Sequence, residues 1–174
     1  MKAISNTELA AFLVEAQIHR ADPNLRIGRQ LTYAADPLRV VVVHFGESES
    51  PEYIEGIFRN VLAIDESWFI TPRYGSVSDF GIAEVQHDAA AILAVRVDAE
   101  RLITFLYNRF EALQTMEGND LYLVAGTGQI LVTYDHHSPD EGLAIHLNDI
   151  AKTSQLLVIL NEMGAEMELF STSG

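Results

Sequence analysis

Apolar residues recur along this chain at two spacings, and the switches between them divide it into helices and strands. Leu9, Phe12, Leu13 and Ala16 repeat at helical spacing behind Ser5-Asn6-Thr7-Glu8, whose serine and glutamate stand as in a capping box. A helix is predicted from there to the turn composition of Ala21-Asp22-Pro23-Asn24. Residues 30–34 and 38–45 favour strands and flank Ala35-Asp36-Pro37, which predicts a hairpin. Arg39-Val40-Val41-Val42-Val43 does not alternate, so that strand is expected to be central and covered on both faces.

A second helix is predicted with Ser50 as its cap, Pro51 in its first position and Ile54, Ile57, Phe58, Val61 and Leu62 as its buried stripe. Strands are read at 68–71, 80–86 and 89–95, and a helix capped by Asp98 runs to about Met116. The strongest strand pattern follows as a meander at 121–125, 129–137 and 142–148. With a turn at Thr127-Gly128, Leu121 faces Tyr134 and Leu123 faces Val132. A four-residue second loop, 138–141, then sets Thr133 opposite His146 and Asp135 opposite Ala144. A last helix, capped by Asn148 or Asp149 and stopped at Gly164, leads to a closing strand at 166–170.

The resulting class is α+β: an antiparallel sheet of hairpins and meanders with about four helices packed on it, in one compact domain over residues 1–174. A weak internal duplication, a helix followed by three strands, is suggested over 50–97 and 98–148.

Charge is what sets this composition apart. Asp and Glu number 25 against 11 Lys and Arg, a formal net charge of −14. From Glu117 onward there are nine acids and one base, Lys152. Such a field repels nucleic acid and anionic membrane and steers a basic partner toward the chain. No apolar run reaches the roughly 20 residues of a membrane helix, and the first residues lack the order of a secretory signal, so a cytoplasmic address is expected. The absence of cysteine removes disulfides and thiolate chemistry.

Candidate chemistry is sparse. Asp135, His137 and His146 lie on or beside adjacent strands, and imidazoles with a carboxylate are the donor set of a divalent metal or acid-base site. Gly126-Thr127-Gly128 lacks the Lys-Ser/Thr and the helix of a phosphate loop and reads as a hairpin turn. Trp68 and Phe69 suit a core, whereas Arg73 and Tyr74 suit a binding surface. His44 ends the valine strand as a satisfied histidine near the core. Glu47, Glu49, Glu52 and Glu55 form one acidic patch, and Asp140 and Glu141 form part of another.

These features together predict an acidic cytoplasmic module that binds a basic partner protein through Glu47, Glu49, Glu52, Glu55, Arg73, Tyr74, Asp140 and Glu141. An immunity protein or antitoxin facing a basic toxin has this combination of size and charge, and no cofactor is implied. A metal-dependent or acid-base enzyme using Asp135, His137 and His146, and a self-associating structural domain, are the alternatives.

Overall fold

Each helix starts at a side-chain oxygen placed to take up the backbone donors that a first turn leaves free. The structure is a computed structural model and describes residues 2–20, 31–35, 37–45, 50–72, 94–107, 121–135 and 142–171. At α1 (Asn6–Glu15) the Glu8 N–H donates to Ser5 Oγ at 3.2 Å and the Ser5 N–H to Glu8 Oε2 at 2.8 Å, the reciprocal pair of a capping box. At α2 (Pro51–Leu62) the Tyr53 N–H donates to Ser50 Oγ. Asp98 and Asp149 serve α3 (Ala99–Tyr107) and α4 (Ile150–Glu162) in the same way, accepting from Arg101 and Lys152. Gly164, at φ 69°, releases the chain from α4 in the left-handed conformation that glycine adopts without strain.

The strands are β1 (Lys2–Ile4), β2 (Ile18–Arg20), β3 (Leu31–Tyr33), β4 (Arg39–His44), β5 (Ser67–Pro72), β6 (Ala94–Asp98), β7 (Leu121–Ala125), β8 (Ile130–Asp135), β9 (Gly142–Leu147) and β10 (Met167–Ser171). Eight of them form one sheet in the order β1-β6-β5-β7-β8-β9-β4-β10, antiparallel at every step, while β2 and β3 pair with each other. In the described elements the order strand, helix, three strands, helix, strand occurs twice, from β1 to β5 and again from β6 to β10.

Alternation along the strands gives the sheet two unlike faces. One carries Val41, Trp68, Ile70, Leu123, Val132 and Ile145 and forms the main core with α2, α3 and α4. All five stripe residues of α2 are buried there, as are Leu102, Leu156 and Leu160. Each such side chain contributes about 1.5–3 kcal/mol when fully buried. Trp68 is sealed in this layer and donates its indole N–H to the Leu62 carbonyl at 2.9 Å. α2, α3 and α4 share this face because the connections from β4 to β5, from β6 to β7 and from β9 to β10 each join parallel strands across intervening ones, and right-handed crossings in these directions all pass over the same side.

The opposite face is covered in part. Leu9, Leu13, Ile18 and Leu31, from α1, β2 and β3, pack on Phe69, Tyr122, Val124 and Leu131. Phe12 stacks on Phe69 with ring centroids 4.0 Å apart. Farther along the same face, Val40, Val42, Ala144 and His146 are only half-buried.

An α+β architecture, a large antiparallel sheet with four described helices, is what the sequence pattern predicts, and the meander at β7-β8-β9 has the expected faces. Several details differ. The hairpin predicted between 30–34 and 38–45 does not form: β3 pairs with β2, and β4 pairs with β9 and β10. The valine run is covered fully on one face alone, Val41 and Val43 being inaccessible while Val40 and Val42 are not. Gly142, not Ala144, lies opposite Asp135, and Ala144, not His146, faces Thr133. A slip of two residues preserves the face of every side chain, which is why the hydrophobic pattern alone could not expose it. Residues 80–93 and 108–120 lie outside the described residues, and with them the predicted strand at 80–86 and the rest of the helix beginning at Asp98.

Candidate functional site

Of the acids predicted to meet a partner, Glu52 and Glu55 stand on α2. Glu52 is exposed in the first turn, where a carboxylate complements the helix dipole. Glu55 is engaged: Arg59, one turn on, donates to its Oε1 at 2.8 Å. Glu47, Glu49, Arg73, Tyr74, Asp140 and Glu141 lie outside the described residues.

The metal alternative meets a geometric obstacle in the register. Asp135 closes β8 opposite Gly142, whereas His146 lies opposite Leu131, four residues back along that strand, so the two are not the diagonal neighbours that the sequence register implied. His137 lies outside the described residues. Burial pushes the His146 imidazole below its ordinary value and so favours the neutral ring. Among the described residues no three His, Asp or Glu side chains gather in metal-binding proximity.

One polar cluster, gathered on the buried carboxyl of Asp65, was not singled out from the sequence. Asp65, just after α2, accepts from Thr127 Oγ1 at 2.7 Å, from Lys152 Nζ at 3.0 Å and from the Ser67 N–H at 3.4 Å. Burial would raise this carboxyl, but the bonds from Thr127 and Lys152, the lysine charge and the Ser67 N–H outweigh it and hold the group below its ordinary value. These bonds join the end of α2, the β7-β8 turn and the start of α4. Its role is that of a clasp.

A cleft of about 500 Å³ opens beside the same turn, between the end of α1 and β3, with Gln17, Gln129 and Asn148 among its lining residues. Gly126-Thr127-Gly128 forms that turn, with the Gly128 N–H donating to the Ala125 carbonyl at 2.8 Å and Gly128 at φ 74°. Tyr33 closes the floor by donating its hydroxyl to the Gly128 carbonyl at 2.9 Å, and burial pushes its phenol up. Among the described residues, Glu15 is the one other titratable group lining the cleft.

The arrangement best suited to recognition lies where β4 and β10 end the sheet. Glu166 and Glu168 are exposed there, and Glu166 makes no ion pair among the described residues. Leu169 and Phe170 are 50% and 51% exposed on opposite sides of β10. His44 lies on the same face as Glu168, with its Nε2 3.5 Å from Glu168 Oε1. That nitrogen is enclosed and makes no hydrogen bond, so His44 is not the satisfied histidine its position suggested. Arg39, the nearby guanidinium, donates to the Leu38 carbonyl at 2.6 Å. Acids and apolar surface therefore share one strand at this end.

The chain matches no protein-family model, no curated protein and no solved structure. Among the described residues no helix is long and apolar enough to cross a membrane. Glu166 and Glu168 alternate with Met167 and Leu169 along the sequence, a pattern that marks a charged strand edge and does not by itself single out a partner surface.

Proposed function

We propose that this chain is an acidic cytoplasmic module that engages a basic partner protein. The observation that supports it is the β4-β10 end of the sheet, where Glu166 and Glu168 are exposed beside half-exposed Leu169 and Phe170. A partner presenting lysines or arginines around an apolar centre would neutralise the first group and bury the second. A net charge of −14 would speed the encounter over long range, and the apolar contacts would slow dissociation.

The test is capture from host lysate followed by calorimetry with the purified partner at about 0.05 and 0.3 M salt, concentrations whose screening lengths differ roughly 2.5-fold. The reading requires a basic protein whose affinity falls at least about tenfold at the higher salt and again on Glu166→Lys with Glu168→Lys. A partner bound equally at both salt concentrations and indifferent to the double substitution would overturn it. A toxin held by its immunity protein is one pairing of this chemistry.

A further inference from the structure

The last strand of the sheet turns half of its backbone outward. β10 pairs with β4 from Met167 opposite Val43 to Ser171 opposite Arg39, and just before it the His44 N–H donates to the Glu166 carbonyl at 3.0 Å. In an antiparallel pair, residues that exchange hydrogen bonds alternate with residues whose N–H and C=O point away. Glu166, Glu168 and Phe170 therefore face β4 with their backbone groups. Met167, Leu169 and Ser171 present theirs to the outside, and among the described residues no strand takes them up.

The side chains of β10 divide by the same alternation. Met167 and Leu169 lie on the helix-covered face with Val43 and Val41, and Glu168 and Phe170 lie on the other face with Val42 and Val40. The opposite end of the sheet is built differently: β1 has three residues, and its Lys2 is 3.6 Å from Glu8. A short, charge-paired edge discourages pairing. β10 is longer, and its exposed acids select among partners. Self-pairing about Leu169 would set Glu168 beside Phe170 and bring together two chains of charge −14, so a second copy is a poor occupant.

We propose that β10 is a docking edge to which a partner adds an extended basic segment as a ninth strand. This deepens the preceding reading and rests on it. The segment alternates: lysines or arginines on the face of Glu166, Glu168 and Phe170, apolar residues on the face of Met167 and Leu169. Ladder hydrogen bonds to Met167, Leu169 and Ser171 supply affinity, and the carboxylates, with the ring of Phe170 under a cation, supply selectivity.

The test uses the full chain and a fluorescent peptide of about ten residues alternating lysine with valine, long enough for a typical strand. Anisotropy should show binding that weakens at least about tenfold when alternate peptide nitrogens are methylated, and similarly on Glu168→Lys. Hydrogen exchange at Met167, Leu169 and Ser171 should slow in the complex. Leu169→Pro removes an outward N–H and should abolish binding, with circular dichroism confirming the fold; the methylated peptide makes the same test on the unaltered protein. If the methylated peptide binds as well as its parent, strand addition is wrong while a charge-steered module survives. If a glutamate-valine peptide binds as well as the lysine one, both fall. Sedimentation as a dimer that Leu169→Pro dissociates would assign the edge to a second copy and overturn the proposal.

Discussion

In their described elements the two halves of this chain, β1 to β5 and β6 to β10, run through the same order yet place their middle strands differently. In the second half β7, β8 and β9 form a continuous meander within the main sheet. In the first half β2 and β3 leave the sheet and lie with α1 against its second face, and β10 holds the edge of β4 that corresponds to the one β8 holds on β9. The difference shows that a strand's partner is settled by competition among distant segments. β3 has three residues, and β10 offers β4 a five-residue ladder with Met167 packed against the main core.

The join between the halves is the place to break this arrangement hardest. A Cβ on Gly142 would run into the Val43 carbonyl, backbone that cannot turn aside, at the point where β9 meets β4. Gly142→Ala is expected to cost about 3 kcal/mol, at the upper end of overpacking effects, read as a lower urea midpoint.

Next comes the clasp, in which Asp65 of the first half holds Thr127 and Lys152 of the second. Asp65→Ala leaves Lys152 without its partner, and because that lysine is 22% exposed the cost should be about 2 kcal/mol, below that of a fully buried pair. The pH dependence has a definite sign. Because the folded carboxyl lies below its unfolded value of about 3.9, its contribution is complete above that value and is lost as pH falls through the folded one. Asp65→Asn should flatten this acid limb in denaturant melts run across pH.

A smaller effect tests why β2 and β3 stay on the second face. Tyr33→Phe removes the hydroxyl that ties β3 to the β7-β8 turn and should cost about 1 kcal/mol in the same melts, with faster amide exchange in β2 and β3. The smallest change contrasts helix exits. α4 leaves through Gly164, whereas α1 leaves through Gln17 at φ 54°, a conformation unfavourable to a side chain. Gln17→Gly should therefore stabilise the protein by up to about 1 kcal/mol, visible as a higher thermal midpoint.

The caps of the described helices were legible, Ser5, Ser50 and Asp98 outright and Asp149 as one of two neighbours, because a cap is a contact between residues three apart, wholly contained in local sequence. The faces of the meander were legible for a similar reason, since alternation fixes which side chains point together. β1 and β2 were not, being too short at three residues each for a periodic signal. The clasp at Asp65 escaped because its members are separated by 62 and 87 residues. At the candidate site, the alternation of Glu166 and Glu168 with Met167 and Leu169 is local and legible; that this strand ends the sheet among the described residues, with Leu169 and Phe170 exposed on it, depends on the pairing of β10 with β4.

By itself, then, the sequence determined where helices begin, which side of each strand is apolar, the α+β class and a charge of −14, because each follows from neighbours along the chain or from composition. Only the tertiary structure decided that β4 lies between β9 and β10, that β3 is excluded from the main sheet, and that His146 lies opposite Leu131 rather than Thr133. The physical reason is that backbone donors and acceptors are the same on every strand. A segment states locally that it will pair, and only the packing of the whole chain selects with what and in which register.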